Sequence, residues 1–200
     1  WAEYFNKQGI AYFVLKYRMP KGDRNIPLGD AYQAMRTVRD SAEVWHINKK
    51  DVGIMGFSAG GHLASSVSTH ADEAVRPNFS ILFYPVISMD ERITHKGSCV
   101  NFLGEERKTN DKLVEEWSND KAVRPQVTPR VILLMSSDDK VVPPVTNGVA
   151  YYTAMNKAGN ECTLHIYPSG GHGWGFRNTA QGFRYHVQML DDLTTWLQHF

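Results

Sequence analysis

Along this chain, short apolar runs alternate with stretches in which apolar residues recur every three or four positions. The runs are IAYFVLKY (10–17), VGIMGF (52–57), FSILFY (79–84), RVILLM (130–135) and CTLHIY (162–167). Their length and their β-branched and aromatic content predict buried strands. After the first run, Ala31, Ala34, Met35, Val38, Ala42 and Trp45 mark one face of an amphipathic helix, with Asp30 placed to cap its start. Val145, Val149, Tyr152 and Met155 mark a second helix that stops at Gly159, and Phe183, Val187, Leu190 and Leu197 a C-terminal one. Parallel strands need crossovers of about a dozen residues or more, and these connections are long enough. The pattern therefore predicts an α/β fold over residues 1–200 as a single domain: a mostly parallel sheet with helices on both faces.

One connection exceeds what a crossover needs. Residues 86–129 are polar and charged, with one helix expected near Lys112 to Trp117. Long insertions in compact domains commonly serve as lids or binding loops, so the segment is a lid-like candidate, with a solvated surface excursion as the plain alternative.

Composition narrows the function classes. The chain has 200 residues, 42% hydrophobic and 22% charged, which suffices for one ordinary core. Its 22 basic and 21 acidic residues are spread along the sequence, so no electrostatic footprint for nucleic acid or an anionic membrane stands out, and a small or neutral partner is expected. No apolar run approaches the roughly 18 residues of a membrane span. Cys99 and Cys162 lack metal-ligand or CxxC spacing and imply neither a zinc site nor a disulfide framework.

The chemistry lies at strand ends, because ligands of open α/β sheets sit beyond the carboxyl ends of the strands. Ser58 follows VGIM within GFSAGGH, where Gly56 and Gly60 would relieve crowding in a sharp strand-to-helix turn. The N–H of Ala59 could then face a developing oxyanion. Asp138 and Asp139 follow RVILLMSS, and a carboxylate there could orient a histidine. His172, in PSGGHGWGF, is flanked by glycines and could serve as general base and acid. Each alone has an ordinary explanation as turn, cap or loop residue. Together, in the order Ser, Asp, His, they predict a nucleophilic triad, with Asp138 chosen over its neighbour Asp139. His62, one helical turn past the serine, is read as packing against the core or supporting the turn. His70 and Asp72 form an HxD pair, a weak hint of a metal.

On these residues the sequence resembles the serine esterases of the α/β-hydrolase superfamily, near the bacterial carbohydrate acetyl esterases acting on xylan or xyloglucan. The resemblance rests on GIAYFVLKYRMP, DVGIMGFSAGGHLAS, RPNFSILFYPVIS, SSDDKVVPP with Asn147 after it, and YPSGGHGWGFR, which cover nearly the whole chain. It implies an acyl-enzyme mechanism without cofactor or metal. Ser58 attacks an ester, His172 takes its proton, Asp138 holds the imidazole and Ala59 contributes an oxyanion donor. It also implies acetylated plant oligosaccharides as substrates, with feruloyl esters or a non-catalytic binding role as alternatives, and a secreted or periplasmic location. Trp174 would form an apolar wall beside the histidine.

The sequence departs from that family in one place. Such esterases carry an HGGG-like or PGGG-like loop before the helix that WAEYFNKQG resembles, and this loop supplies the other oxyanion donor. No such segment occurs here. The resemblance therefore implies a chain lacking N-terminal strands, to be completed by a further segment or a second chain. Without that completion, weak turnover is expected, since losing one oxyanion donor costs about two to three orders of magnitude. Poor solubility is expected too, because the lost strands would leave an exposed edge or apolar surface.

Overall fold

The computed structural model describes residues 1–176 and 183–199. Its centre is a fully parallel sheet of four strands, β1 (Gly53–Phe57), β2 (Phe79–Phe83), β3 (Arg130–Ser136) and β4 (Cys162–Tyr167), in the spatial order β1-β2-β3-β4. Around it lie α1 (Ala2–Asn6), α2 (Asn25–Asp40), α3 (Ser58–His70), α4 (Lys96–Leu103), α5 (Asp111–Glu116), α6 (Ala150–Lys157) and α7 (His186–Leu197).

Side chains alternate across the sheet as the pleat requires. Leu82, Val131 and Leu133 pack with Ala64 of α3 and with Tyr151 and Met155 of α6. Ile81, Phe83, Ile132 and Leu134 join the larger core that holds Phe5 of α1 and Met189, Leu193 and Trp196 of α7. Helices thus cover both faces, and β2 is buried along its whole length, which is why it is apolar except for Ser80, whose hydroxyl pairs with that of Ser68 at 2.7 Å.

The first expected strand does not form. Residues 10–17 are irregular, and among the described residues no backbone hydrogen bond ties positions 11–17 to the sheet. A strand exists through its ladder, and apart from the Ile10 N–H, which donates to the Phe5 carbonyl at 3.1 Å, the segment is held among the described residues by side-chain contacts. Tyr12 stacks on Phe5 at 5.2 Å and Phe13 on Trp45 at 5.0 Å, while Val14 is left 83% exposed. β1 is accordingly an edge of the sheet.

Helix phases also differ from the pattern. α2 begins at Asn25, so Asp30 lies inside it and pairs with Arg18 instead of capping it, and Trp45 falls beyond its end. Along α7 the buried stripe is Met189, Leu193, Trp196 and Leu197, so Leu197 faces the core as expected while Val187 is exposed. A π-helical turn at Val145–Val149 precedes α6 and rotates its inward face to Tyr151 and Met155. Gly159, at φ +71°, ends that helix as expected.

The segment 86–129 contains α5 where a helix was expected, and also α4 and a 3-10 turn at Glu105–Lys108. It is anchored by Cys99, Phe102, Leu103, Leu113 and Trp117, all buried. Arg107, itself buried, pairs with Glu91 at 3.1 Å and donates to the Gly104 carbonyl at 2.7 Å.

Candidate active site

Ser58 is the first residue of α3, directly after β1, and its φ of +52° is the left-handed backbone of a sharp turn. A non-glycine residue pays strain there, and such strain concentrates at functional sites. Two glycines make the turn possible by close approach. A Cβ on Gly56 would lie 2.2 Å from the Gly60 carbonyl oxygen, and one on Gly61 would lie 2.7 Å from Pro85 Cβ. Gly60, expected to relieve crowding, faces only the Tyr17 hydroxyl at 3.4 Å. The Ser58 carbonyl accepts from Val86 N–H at 3.1 Å, tying the elbow to the end of β2.

Beneath the elbow, α3 carries a buried polar layer. His62 Nε2 donates to the Trp117 carbonyl at 2.9 Å, and Asn119 Nδ2 bonds to Ser65 Oγ at 2.7 Å and Ser66 Oγ at 3.0 Å. Burial lowers the His62 pKa to about 4, so the ring is neutral and serves as a strut between α3 and the 86–129 segment. His70 stacks on Trp117 at 4.3 Å and bonds to the Glu116 carbonyl, and among the described residues no cluster of three metal-ligating side chains surrounds it.

His172 reaches the serine: its Nε2 lies 2.8 Å from Ser58 Oγ. Its Nδ1 lies 2.7 Å from Asp139 Oδ2, and this is a correction to the expectation of Asp138. The physical reason is local. Asp139 Oδ1 accepts from the N–H groups of Val141 and Val142, both at 2.9 Å, which turns its buried carboxylate inward from the end of β3. Asp138 points to solvent, where it accepts from Gly171 N–H at 2.8 Å and Gly170 N–H at 3.3 Å.

Trp174 also departs from expectation. It is wholly buried, stacks on Phe183 at 3.9 Å and donates its Nε1–H to Ser136 Oγ at 2.7 Å. It is an anchor for the histidine loop and has no surface to offer a ligand. The aromatic against the imidazole is Tyr84, with ring centroids 4.8 Å apart and edge to face. Burial, followed by the nearby Asp139 carboxylate, raises its phenol pKa well above the ordinary value. At φ +35° Tyr84 is a second strained residue beside the serine, and only its place at a strand end before Pro85 marked it in the sequence.

Asn147, also missed as a site element, ties the acid loop to the insertion. Its buried Oδ1 accepts from the N–H groups of Ile87 and Ser88 and from Thr94 Oγ, and its Nδ2 donates to the Pro143 carbonyl. Ala59, exposed and second in α3, presents an N–H with no carbonyl four residues earlier in the helix to receive it.

A hydroxyl, an imidazole and a buried carboxylate in one hydrogen-bonded line, at the strand ends of a parallel sheet, are the arrangement of a hydrolase. The family model for the alpha/beta hydrolase fold matches residues 4–176. The chain belongs to this family. The hydrolase chain is 59% identical over 197 residues to an acetylxylan esterase of Xylanibacter ruminicola, a match covering 98% of this chain and 40% of that protein. It is 32% identical over 186 residues to endo-1,4-beta-xylanase B of Butyrivibrio fibrisolvens, covering 86% of this chain and 28% of that one. The chain thus spans less than half the length of these curated relatives. Among solved structures, the acetyl ester-xyloside bifunctional hydrolase of Caldicellulosiruptor lactoaceticus superposes with a TM-score of 0.85 at 34% identity, over 98% of this chain and 75% of that one.

Proposed function

We propose that this hydrolase-fold chain is a serine carboxylic-ester hydrolase that removes acetyl groups from xylan or its oligosaccharides. The observation that carries the reading is the continuous line from Ser58 Oγ through His172 to the buried Asp139. In it, Ser58 Oγ attacks the ester carbonyl while His172 Nε2 takes the hydroxyl proton, and Asp139 stabilises the imidazolium through Nδ1. The Ala59 N–H donates to the oxyanion. Collapse of the tetrahedral adduct expels the sugar alcohol, which takes the proton from His172. Water activated by the same imidazole then attacks the acyl-serine, releasing acetate and restoring Ser58. The acetyl and xylan parts of the reading are supported by the names of the relatives at 59% and 34% identity.

A serine-directed fluorophosphonate probe tests the nucleophile: wild-type protein takes up label and Ser58→Ala, folded by circular dichroism, takes up none. Equal labelling of the variant overturns the assignment. Acetate release from acetylated xylan, measured beside hydrolysis of a feruloyl ester, tests the substrate. Faster feruloyl hydrolysis would replace the acetyl reading.

A further inference from the structure

We infer that Asp138 is a positioning residue for His172, holding the backbone of the histidine loop while its neighbour Asp139 holds the ring. This rests on the triad proposed above. His172 sits in a segment with little conformational preference of its own: Gly170, Gly171 and Gly173 all have positive φ, at 139°, 61° and 86°. Glycines lose more backbone freedom on ordering than any other residue, so a loop of this composition needs external ties to keep a side chain in place. Downstream, the tie is Trp174, through Ser136 and Phe183. Immediately upstream, the amides of Gly170 and Gly171 both point at the Asp138 carboxylate.

Consecutive N–H groups converging on one carboxylate form a small anion nest, and hydrogen bonds to a charged acceptor are about twice as strong as neutral ones. Chiefly the Gly171 N–H keeps the Asp138 pKa below its ordinary value, with Gly170 and Lys140 adding to it. The carboxylate is therefore ionised throughout the range in which a neutral imidazole can work.

The arrangement has a geometric consequence. Asp138 and Asp139 are adjacent, so one dipeptide at the end of β3 grips the histidine loop at two points. The Cα of His172 is fixed relative to Asp138 and its Nδ1 relative to Asp139, so imidazole and carboxylate move together if β3 shifts. A misplacement of about 1 Å at a reacting group can cost about a hundredfold in rate. Loss of one of the loop's ties is expected to cost less, since Trp174 and Asp139 remain.

The test compares wild type with Asp138→Asn and Asp138→Ala in p-nitrophenyl acetate hydrolysis, together with NMR of the imidazole Nδ1 proton and the Gly171 amide. Both variants are at an exposed position and are expected to melt within a few degrees of wild type. The expected result is a fall in kcat of about tenfold for Asp138→Ala and less for Asp138→Asn, which keeps one acceptor. KM should stay within about twofold, the Gly171 amide should exchange faster, and the Nδ1 proton signal should broaden. Unchanged kcat with an intact Nδ1 signal overturns the inference, and so does a lowered melting temperature with unchanged kcat. A wild type lacking any hydrogen-bonded Nδ1 proton would instead overturn the triad, so the two failures are distinguishable.

Discussion

The serine side of the site is built by close approach. Gly56 touches Gly60, Gly61 touches Pro85, and a buried layer of His62, Ser65, Ser66 and Asn119 lies beneath the elbow. The acid and histidine side is built from surface loops, in which backbone N–H groups grip two carboxylates and a glycine-rich segment is pinned at its ends. Packing fixes Ser58, the proposed nucleophile, because its strained conformation must be held, which only a crowded surrounding can enforce. Hydrogen bonding fixes the other two because, in the proposed mechanism, the imidazole needs its orientation and tautomer defined, which a directional acceptor supplies.

The largest effect is expected on the loop side. Asp139→Asn keeps the volume and one acceptor, yet it can present an amide to Nδ1 and favour the wrong tautomer. A fall in kcat of about ten-thousandfold is expected, with little change in KM. The readout is acetyl-ester hydrolysis beside Asp138→Asn, whose loss is expected within about tenfold. If the two neighbours cost the same, the division of labour between ring and backbone fails.

The serine side should instead break with acid. In the folded chain His62 is neutral, its pKa lowered from 6.5 to about 4 chiefly by burial. Because the folded value is the depressed one, the associated stability is fully present above about pH 6.5 and is lost as pH falls through about 4. The change is on the order of 3 kcal/mol over that window. His70, whose pKa burial also lowers, acts in the same direction. The Asp138 clamp, with its own pKa below the ordinary carboxylate value, outlasts it. Thermal midpoints of wild type and His62→Gln between pH 7 and 4 measure this. The variant retains a donor for the Trp117 carbonyl and should show the shallower slope, and parallel slopes would remove His62 as the cause.

Much of this contrast was legible beforehand, and for a definite reason. Ser58 and His172 sit in glycine contexts at strand ends, and strand ends follow from apolar runs whose burial needs no partner beyond the sheet. Asp138 against Asp139 was not legible, because adjacent residues on a turn face opposite ways and the choice depends on which side chain caps the amides of Val141 and Val142. Trp174 was misread because an aromatic beside a histidine is ambiguous until Ser136 and Phe183 are seen to receive it. The run at 10–17 has the composition of a strand, but a ladder needs a neighbour, and composition does not report one. Tyr84 carried no periodic signal, and its strained φ is visible only in the fold.

The smallest expected effect separates the two glycines of the Gly-x-Ser-x-Gly pattern. They look equivalent in sequence, yet a Cβ at Gly56 would meet backbone at 2.2 Å, whereas at Gly60 it would meet only a side-chain hydroxyl at 3.4 Å. Gly56→Ala must push the first turn of α3 away from β1, at about 2 kcal/mol, moving Ser58 as it does so. Gly60→Ala lies inside α3, where alanine is favoured over glycine by up to about 1 kcal/mol, so it should be neutral or mildly stabilising. Chemical denaturation of the two variants, read beside their fluorophosphonate labelling rates, gives the comparison. A serine side built by packing requires Gly56→Ala to lose both stability and labelling while Gly60→Ala keeps both. Equal losses at the two positions would mean that the elbow is held by something other than the contact between Gly56 and the Gly60 carbonyl.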